Sequence, residues 1–140
     1  MKKMVFFLCL LAAMGANAAQ TKSVMELPSV SPYDGDTLRT NQRPVEGLPP
    51  ISIRVFGIDT PEIRGKCEFE ANLARQAKDR VKELVGNSPV KVYIYGWDKY
   101  GGRVVGDVIL QSGQNLGEIL IKEGLAVPYN GGKKKNWCAQ

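Results

Sequence analysis

The chain has 140 residues, with 19 Lys and Arg against 14 Asp and Glu and a formal charge of +5. That length sets one domain as the expectation, and the mild positive excess suits a polyanionic partner without requiring one. The absence of histidine excludes Ser-His-Asp and Cys-His nucleophile schemes, histidine zinc sites and histidine general bases, so any catalysis must use carboxylates, arginines, lysines, tyrosines or a hard metal ion.

Residues 1–18 read as a secretory signal. Lys2 and Lys3 precede a charge-free apolar run from Met4 to Met14, and Ala16-Asn17-Ala18 follows as a small-x-small cleavage site. The run is too short for a membrane-spanning helix, which takes about 20 apolar residues. Residues 19–140 are then expected as one exported, membrane-free domain, periplasmic or secreted. It carries 17 basic side chains against 14 acidic ones. A domain of this size can bury its own core, so a monomer is expected.

Residues 19–32 read as a leading strand interrupted by Pro28 and Pro32. Asp34-Gly35-Asp36 is a turn and 37–40 a strand. Residues 41–50, with Pro44, Gly47, Pro49 and Pro50, form a loop. Residues 51–56 alternate, with Ile51, Ile53 and Val55 on one face. The strand exits into Gly57-Ile58-Asp59-Thr60-Pro61-Glu62. A helix is predicted over 67–85, its stripe formed by Phe69, Leu73, Ala77, Val81 and Leu84, with Gly86 as the stop. Strands follow at 90–95 and 103–110, joined by a turn at 98–102. A short helix covers 115–122, ended by Gly124. The tail, with Gly131, Gly132 and three successive lysines, reads as irregular. Strands with short turns and a mid-chain helix make an α+β, mainly β chain: a small barrel with helices packed outside it.

Asp36 and Asp59 each stand beside a turn in different segments. Brought together, they would offer oxygen ligands to a hard cation, with Thr60 adding another oxygen. Taken alone, Asp-Gly-Asp reads first as a simple hairpin turn. Glu62 is either a helix-start acid after Thr60-Pro61 or a base that takes a proton from water. Arg54 and Arg103 are either exposed strand and turn charges or bidentate holders of a phosphate. Tyr93, Tyr95, Tyr100 and Tyr129 can stack on bases or simply pack on the sheet. Lys133, Lys134 and Lys135 read foremost as a solvated tail. Cys67 and Cys138 can form a disulfide in an oxidising compartment or remain two thiols.

In this order, D-G-D-T at 34–37, R-x-x-x-x-D-T-P-E at 54–62, D-K-Y-G-G-R at 98–103 and E-G-L-A at 123–126 resemble the staphylococcal nuclease family, over about residues 22–128. The resemblance implies a five-stranded OB-fold barrel with two packed helices and one calcium ion. It implies Asp36 and Asp59 as calcium carboxylates, Thr60 as a backbone ligand and Asp34 as a supporting acid. Glu62 is implied as general base, with Arg54 and Arg103 holding the scissile phosphate. Lys99, Tyr100 and Tyr129 fall near the implied nucleotide site. The activity implied is calcium-dependent hydrolysis of DNA and RNA, single strands favoured, with low sequence specificity. The chain departs from the family pattern in an extra glycine before Arg103, in the 41–50 loop and in a tail without a last long helix, whose end a Cys67–Cys138 bridge would fasten. The rival reading is a non-catalytic OB-fold module that binds single strands, which leaves Asp36, Asp59 and Glu62 to repel nucleic acid.

Overall fold

The computed structural model describes residues 23–40, 50–99 and 102–139. The signal segment, the 41–49 loop and Tyr100 lie outside the described residues. The elements in chain order are β1 (Ser23–Leu27), β2 (Ser31–Pro32), β3 (Thr37–Arg39), β4 (Ser52–Val55), β5 (Ile58–Asp59), α1 (Glu68–Val85), β6 (Val90–Trp97), β7 (Arg103–Ile109), α2 (Leu116–Lys122) and β8 (Val127–Pro128). No described helix is long and apolar enough to cross a membrane.

Alternation along the strands fixes which face is inward. Ile51, Ile53 and Val55, Val90 and Val92, and Val104 and Val108 are all buried. They form one apolar core with Leu27 and Leu38, with Val81 and Val85 of α1, and with Leu116 and Leu120 of α2. The strands make a six-stranded sheet in the order β1-β6-β7-β4-β3-β2. Within it β4 and β7 run parallel, and the other neighbours are antiparallel.

The two edge strands of this sheet are consecutive in the chain, with only residues 28–30 between them. A flat sheet of six strands would hold its edges roughly 24 Å apart, whereas the Leu27–Ser31 connection reaches at most about 14 Å. The sheet must therefore curl on itself into an OB-like barrel. β6 bulges between Ile94 and Gly96, and a bulge bends its strand and increases the local twist. Gly106 faces that bulge, and a Cβ there would lie 2.6 Å from the Tyr93 carbonyl oxygen. The barrel has more strand segments than the five expected, in part because the leading strand breaks at residues 28–30, at Pro28, while Pro32 lies within β2. The β5–β8 pair is too short to leave a hydrophobic pattern.

The predicted helices are both present, and Ala77 and Val81 of the expected α1 stripe are buried, but its ends differ, with Glu70, Ala74 and Val85 buried in place of Phe69, Leu73 and Leu84. Glu70, Ala74, Ala77, Val81 and Val85 face inward, while Phe69 is 49% exposed. The cause is polar. Glu70 turns its carboxylate under the 61–66 loop, where Oε1 accepts the Glu62 N–H at 3.3 Å and Oε2 the Lys66 N–H at 2.9 Å. Gly65 packs so tightly on this carboxylate that a Cβ would come within 2.7 Å of the Glu70 Cγ. Cys67 caps the helix, its sulfur accepting the Glu70 N–H at 3.5 Å.

Cys67 is also bonded to Cys138, which settles the choice between a bridge and two thiols. The bridge joins residues 71 positions apart and pins the tail to the start of α1. Closing a loop of that length in the unfolded chain is worth about 4 kcal/mol by chain entropy. Cys67→Ala/Cys138→Ala should lose a large part of that in urea unfolding, and an unchanged midpoint would refute the structural role of the bridge. Glu70→Ala should cost about 1–3 kcal/mol, since it strands two loop donors. Glu68→Ala, one turn-position away and exposed, should stay within about 0.5 kcal/mol.

Candidate active site

The turn between β2 and β3 presents Asp34 and Asp36. Asp34 Oδ1 accepts the Asp36 N–H at 3.1 Å, and the Asp36 carbonyl takes the Val55 N–H at 2.8 Å. Gly35 makes the turn's close approach possible, because a Cβ there would stand 3.0 Å from both Ala77 Cβ and Thr60 Cγ2. Asp36 is buried and well partnered. Its Oδ1 accepts the Thr37 hydroxyl at 3.1 Å, and its Oδ2 receives the Thr60 N–H at 3.4 Å and pairs with Arg54 Nη1 at 3.2 Å.

Arg54 is therefore no solvated strand charge. Its β4 position lies opposite Thr37 of β3, and its guanidinium folds round the strand exit, donating to the carbonyls of Val55 at 3.1 Å and Ile58 at 3.0 Å. That exit turns directly into β5, which carries Asp59 and leads to Thr60, both 2% exposed. Glu62 follows on the loop that Glu70 braces, with its own side chain 56% exposed. Contacts thus bring Asp34, Asp36, Arg54, Thr60 and, through its neighbours, Asp59 and Glu62 into one site.

Arg103 begins β7, level with Ser52 of β4, and is held by Asp98, with Nη2 to Oδ2 at 2.6 Å. It lines a cleft of about 440 Å³ with Asp34, Thr37, Arg39 and Ser52. Asp34 also lines a second cleft of about 380 Å³ that holds Glu62 and Lys78, so Arg103 opens onto the carboxylates across Asp34. Tyr129 shares a third cleft with Arg54 and Phe56, its hydroxyl donating to the Gly132 carbonyl at 2.9 Å. Lys99 is exposed in the turn after β6.

Two residues of the site were not anticipated. Glu70 sets the Glu62 loop, and the sequence signal for it was the acid three positions after the helix cap. All three lysines of the tail are exposed as expected, but Lys134 also reaches the site. Its Nζ lies 3.5 Å from Asp59 Oδ1 and 3.6 Å from Glu62 Oε1. The available signal was Cys138, four residues further on, which ties this stretch to α1.

The electrostatics are those of crowded acids. The Asp34 carboxyl is pushed up to about 6, chiefly by burial and then by the charge of Asp36. Burial works to lower the Lys134 ammonium, yet the charges of Asp59 and Glu62 outweigh it and raise Lys134 above the ordinary lysine value. Arg54 pairs with Asp36 and Lys134 with Asp59 and Glu62, while Arg64 and Lys78 line the cleft that Asp34 and Glu62 share. Asp59 Oδ1 is buried without a hydrogen-bond donor among the described residues, its nearest cation being the Lys134 ammonium. Such an oxygen, in the residue before Thr60, whose N–H reaches the buried Asp36 carboxylate, is the kind of donor that suits a hard divalent cation. Cys67, Glu70 and Cys138 also lie close enough to chelate an ion, but both sulfurs are consumed by the disulfide.

A family model described as staphylococcal nuclease homologue matches residues 52–138. The match includes Arg54, Asp59, Thr60, Glu62, Arg103 and Lys134, and begins after Asp36. An Escherichia coli protein named "Uncharacterized endonuclease" is 29% identical over 96 residues, 69% of this chain and 56% of that protein. "Staphylococcal-like nuclease CAN1" of Arabidopsis thaliana is 36% identical over 77 residues, 55% of this chain and 21% of that protein. "Probable endonuclease LCL3" of Phaeosphaeria nodorum is 32% identical over 82 residues, 56% of this chain and 27% of that protein. The chain thus spans about half the length of the bacterial relative and less of the others. With a curled OB-like barrel, two helices and a family match over most of its length, the chain belongs to the staphylococcal nuclease homologue family.

Proposed function

We propose that this protein is a metal-dependent phosphodiesterase that hydrolyses DNA and RNA with little sequence preference, with calcium as the ion and Asp36 and Asp59 as the carboxylates that hold it. The observation that carries this reading is the buried Asp59 Oδ1, which no described residue hydrogen-bonds, next in sequence to Thr60, whose N–H reaches the buried Asp36 carboxylate. Thr60 would add its backbone oxygen, and Asp34 would hold Asp36 in place through the Asp36 N–H. When bound, the ion supplies positive charge to the phosphate oxygens.

The chain's own groups do the rest. Arg54 and Arg103 present planar donors to oxygens that gain charge as the phosphodiester is attacked. In the structure these donors are engaged, Arg54 with Asp36 and the Val55 and Ile58 carbonyls and Arg103 with Asp98, so each must exchange such contacts for phosphate oxygens. Glu62 is open to solvent on one side and fixed at its backbone by Glu70. It is the group placed to take a proton from the attacking water. Tyr129, beside Arg54, offers a face for a base to stack on, which is tolerant of sequence and favours single strands. Lys99 and Tyr100 would meet the nucleotide near Arg103. We read residues 1–18 as removed on export, and the Cys67–Cys138 bridge is in keeping with an oxidising compartment.

Single-stranded DNA incubated with the protein should be cleaved in calcium, and chelator should abolish cleavage. Arg54→Ala and Glu62→Gln should each lower turnover by about 100- to 1000-fold with the unfolding midpoint retained. Near wild-type turnover in Glu62→Gln would remove it from the role of base. Strand binding that ignores chelator and yields no product would instead favour the binding module.

A further inference from the structure

Lys134 belongs to a stretch without helix or strand, yet its position is constrained from both sides. Upstream, β8 pairs with β5, the strand that carries Asp59, and the Tyr129 N–H donates to the Gly57 carbonyl at 2.8 Å. Downstream, Trp137 is 6% exposed and Cys138 is bonded to Cys67 at the start of α1. Between these anchors the chain crosses the carboxylate site. The three consecutive lysines are not equivalent there. Lys135 stands over the Trp137 ring, 4.5 Å from its centroid, whereas Lys134 reaches Asp59 at 3.5 Å and Glu62 at 3.6 Å.

A monovalent cation of the chain itself thus stands beside the buried oxygen that nothing else partners. A divalent ion held by Asp36 and Asp59 would bring like charge against that ammonium, at distances where the two repel strongly outside bulk water. Lys134 is attached to an irregular segment and is half exposed, its side chain 54% accessible, so it can withdraw while the bridge keeps it near.

We propose that Lys134 is the built-in counter-cation of the site: it neutralises Asp59 and Glu62 in the metal-free protein, a divalent ion must displace it, and it thereby sets the concentration at which the site loads. This rests on the reading of Asp36 and Asp59 as holders of a divalent ion. The consequence is opposite in sign to that of an ordinary site residue. Removing Lys134 strengthens metal binding and weakens the metal-free fold.

The test is calorimetric titration of calcium into the metal-stripped full chain, at one pH and ionic strength, for wild type, Lys134→Met, Lys134→Gln and Lys133→Met. Both Lys134 variants should bind calcium about tenfold tighter than wild type, with Lys133→Met close to wild type. Their thermal midpoints should fall in chelator and return toward wild type in saturating calcium, because the ion binds only the folded state. Unchanged or weaker calcium affinity in the Lys134 variants overturns the proposal alone. So does an equal gain in Lys133→Met, which would reduce the effect to net charge. If neither wild type nor the Lys134 variants bind calcium, the metal reading falls and this inference falls with it.

Discussion

Carboxylates placed close together in a poorly hydrated site repel one another and lose solvation, and they stay ionised only if something of opposite charge is near. Asp36 and Asp59 are both buried, with Asp34 and Glu62 close enough to interact with their surroundings. Much of what surrounds them can be read as an answer to that constraint. Arg54 abandons the solvent side of β4 to pair with Asp36. Thr37 and Thr60 turn donors onto the same carboxylate. Lys134 crosses from the far end of the chain to Asp59 and Glu62.

The barrel supplies rigidity where this site needs it. Asp36 is tied to β4 through its carbonyl, and Asp59 is fixed by the β5–β8 pair. Both strands sit on a core of Ile53, Val55, Leu38 and Val104. The loop carrying Glu62 has no such core beneath it. There a single buried acid, Glu70, takes the place of packing by collecting backbone donors. Its carboxylate also lies 3.6 Å from the Cys138 sulfur, so the loop, the helix start and the tail meet at one point. The base candidate and the tail lysine are therefore positioned by the same small junction.

The tail is the part in which an absence of regular structure does not mean absence of order. It has neither helix nor strand beyond β8, but Trp137 and the disulfide fix its far end. A covalent tie can do this where sequence offers no amphipathic pattern, since it holds a segment without requiring an apolar face.

The sequence by itself determined the strands and helices that alternate or repeat with a clear period, because those periods follow from which side chains leave water. It also narrowed the chemistry, since without histidine only carboxylates, arginines, lysines, tyrosines or a metal could act, and the resemblance of the 34–37, 54–62 and 98–103 motifs to the family then pointed to their acids and arginines. Several outcomes belonged to tertiary structure alone. The start of α1 buries Glu70 where Phe69 was expected, because the loop donors above Glu70 take it as acceptor, and that depends on a contact between separate segments. The barrel closed because the two edge strands are neighbours in the chain, a property of strand order. Lys134 reads like Lys133 and Lys135 in sequence, since all three are the same residue in one polar run. Only the fold, by anchoring the chain on either side of it, decided which of the three would meet Asp59 and Glu62.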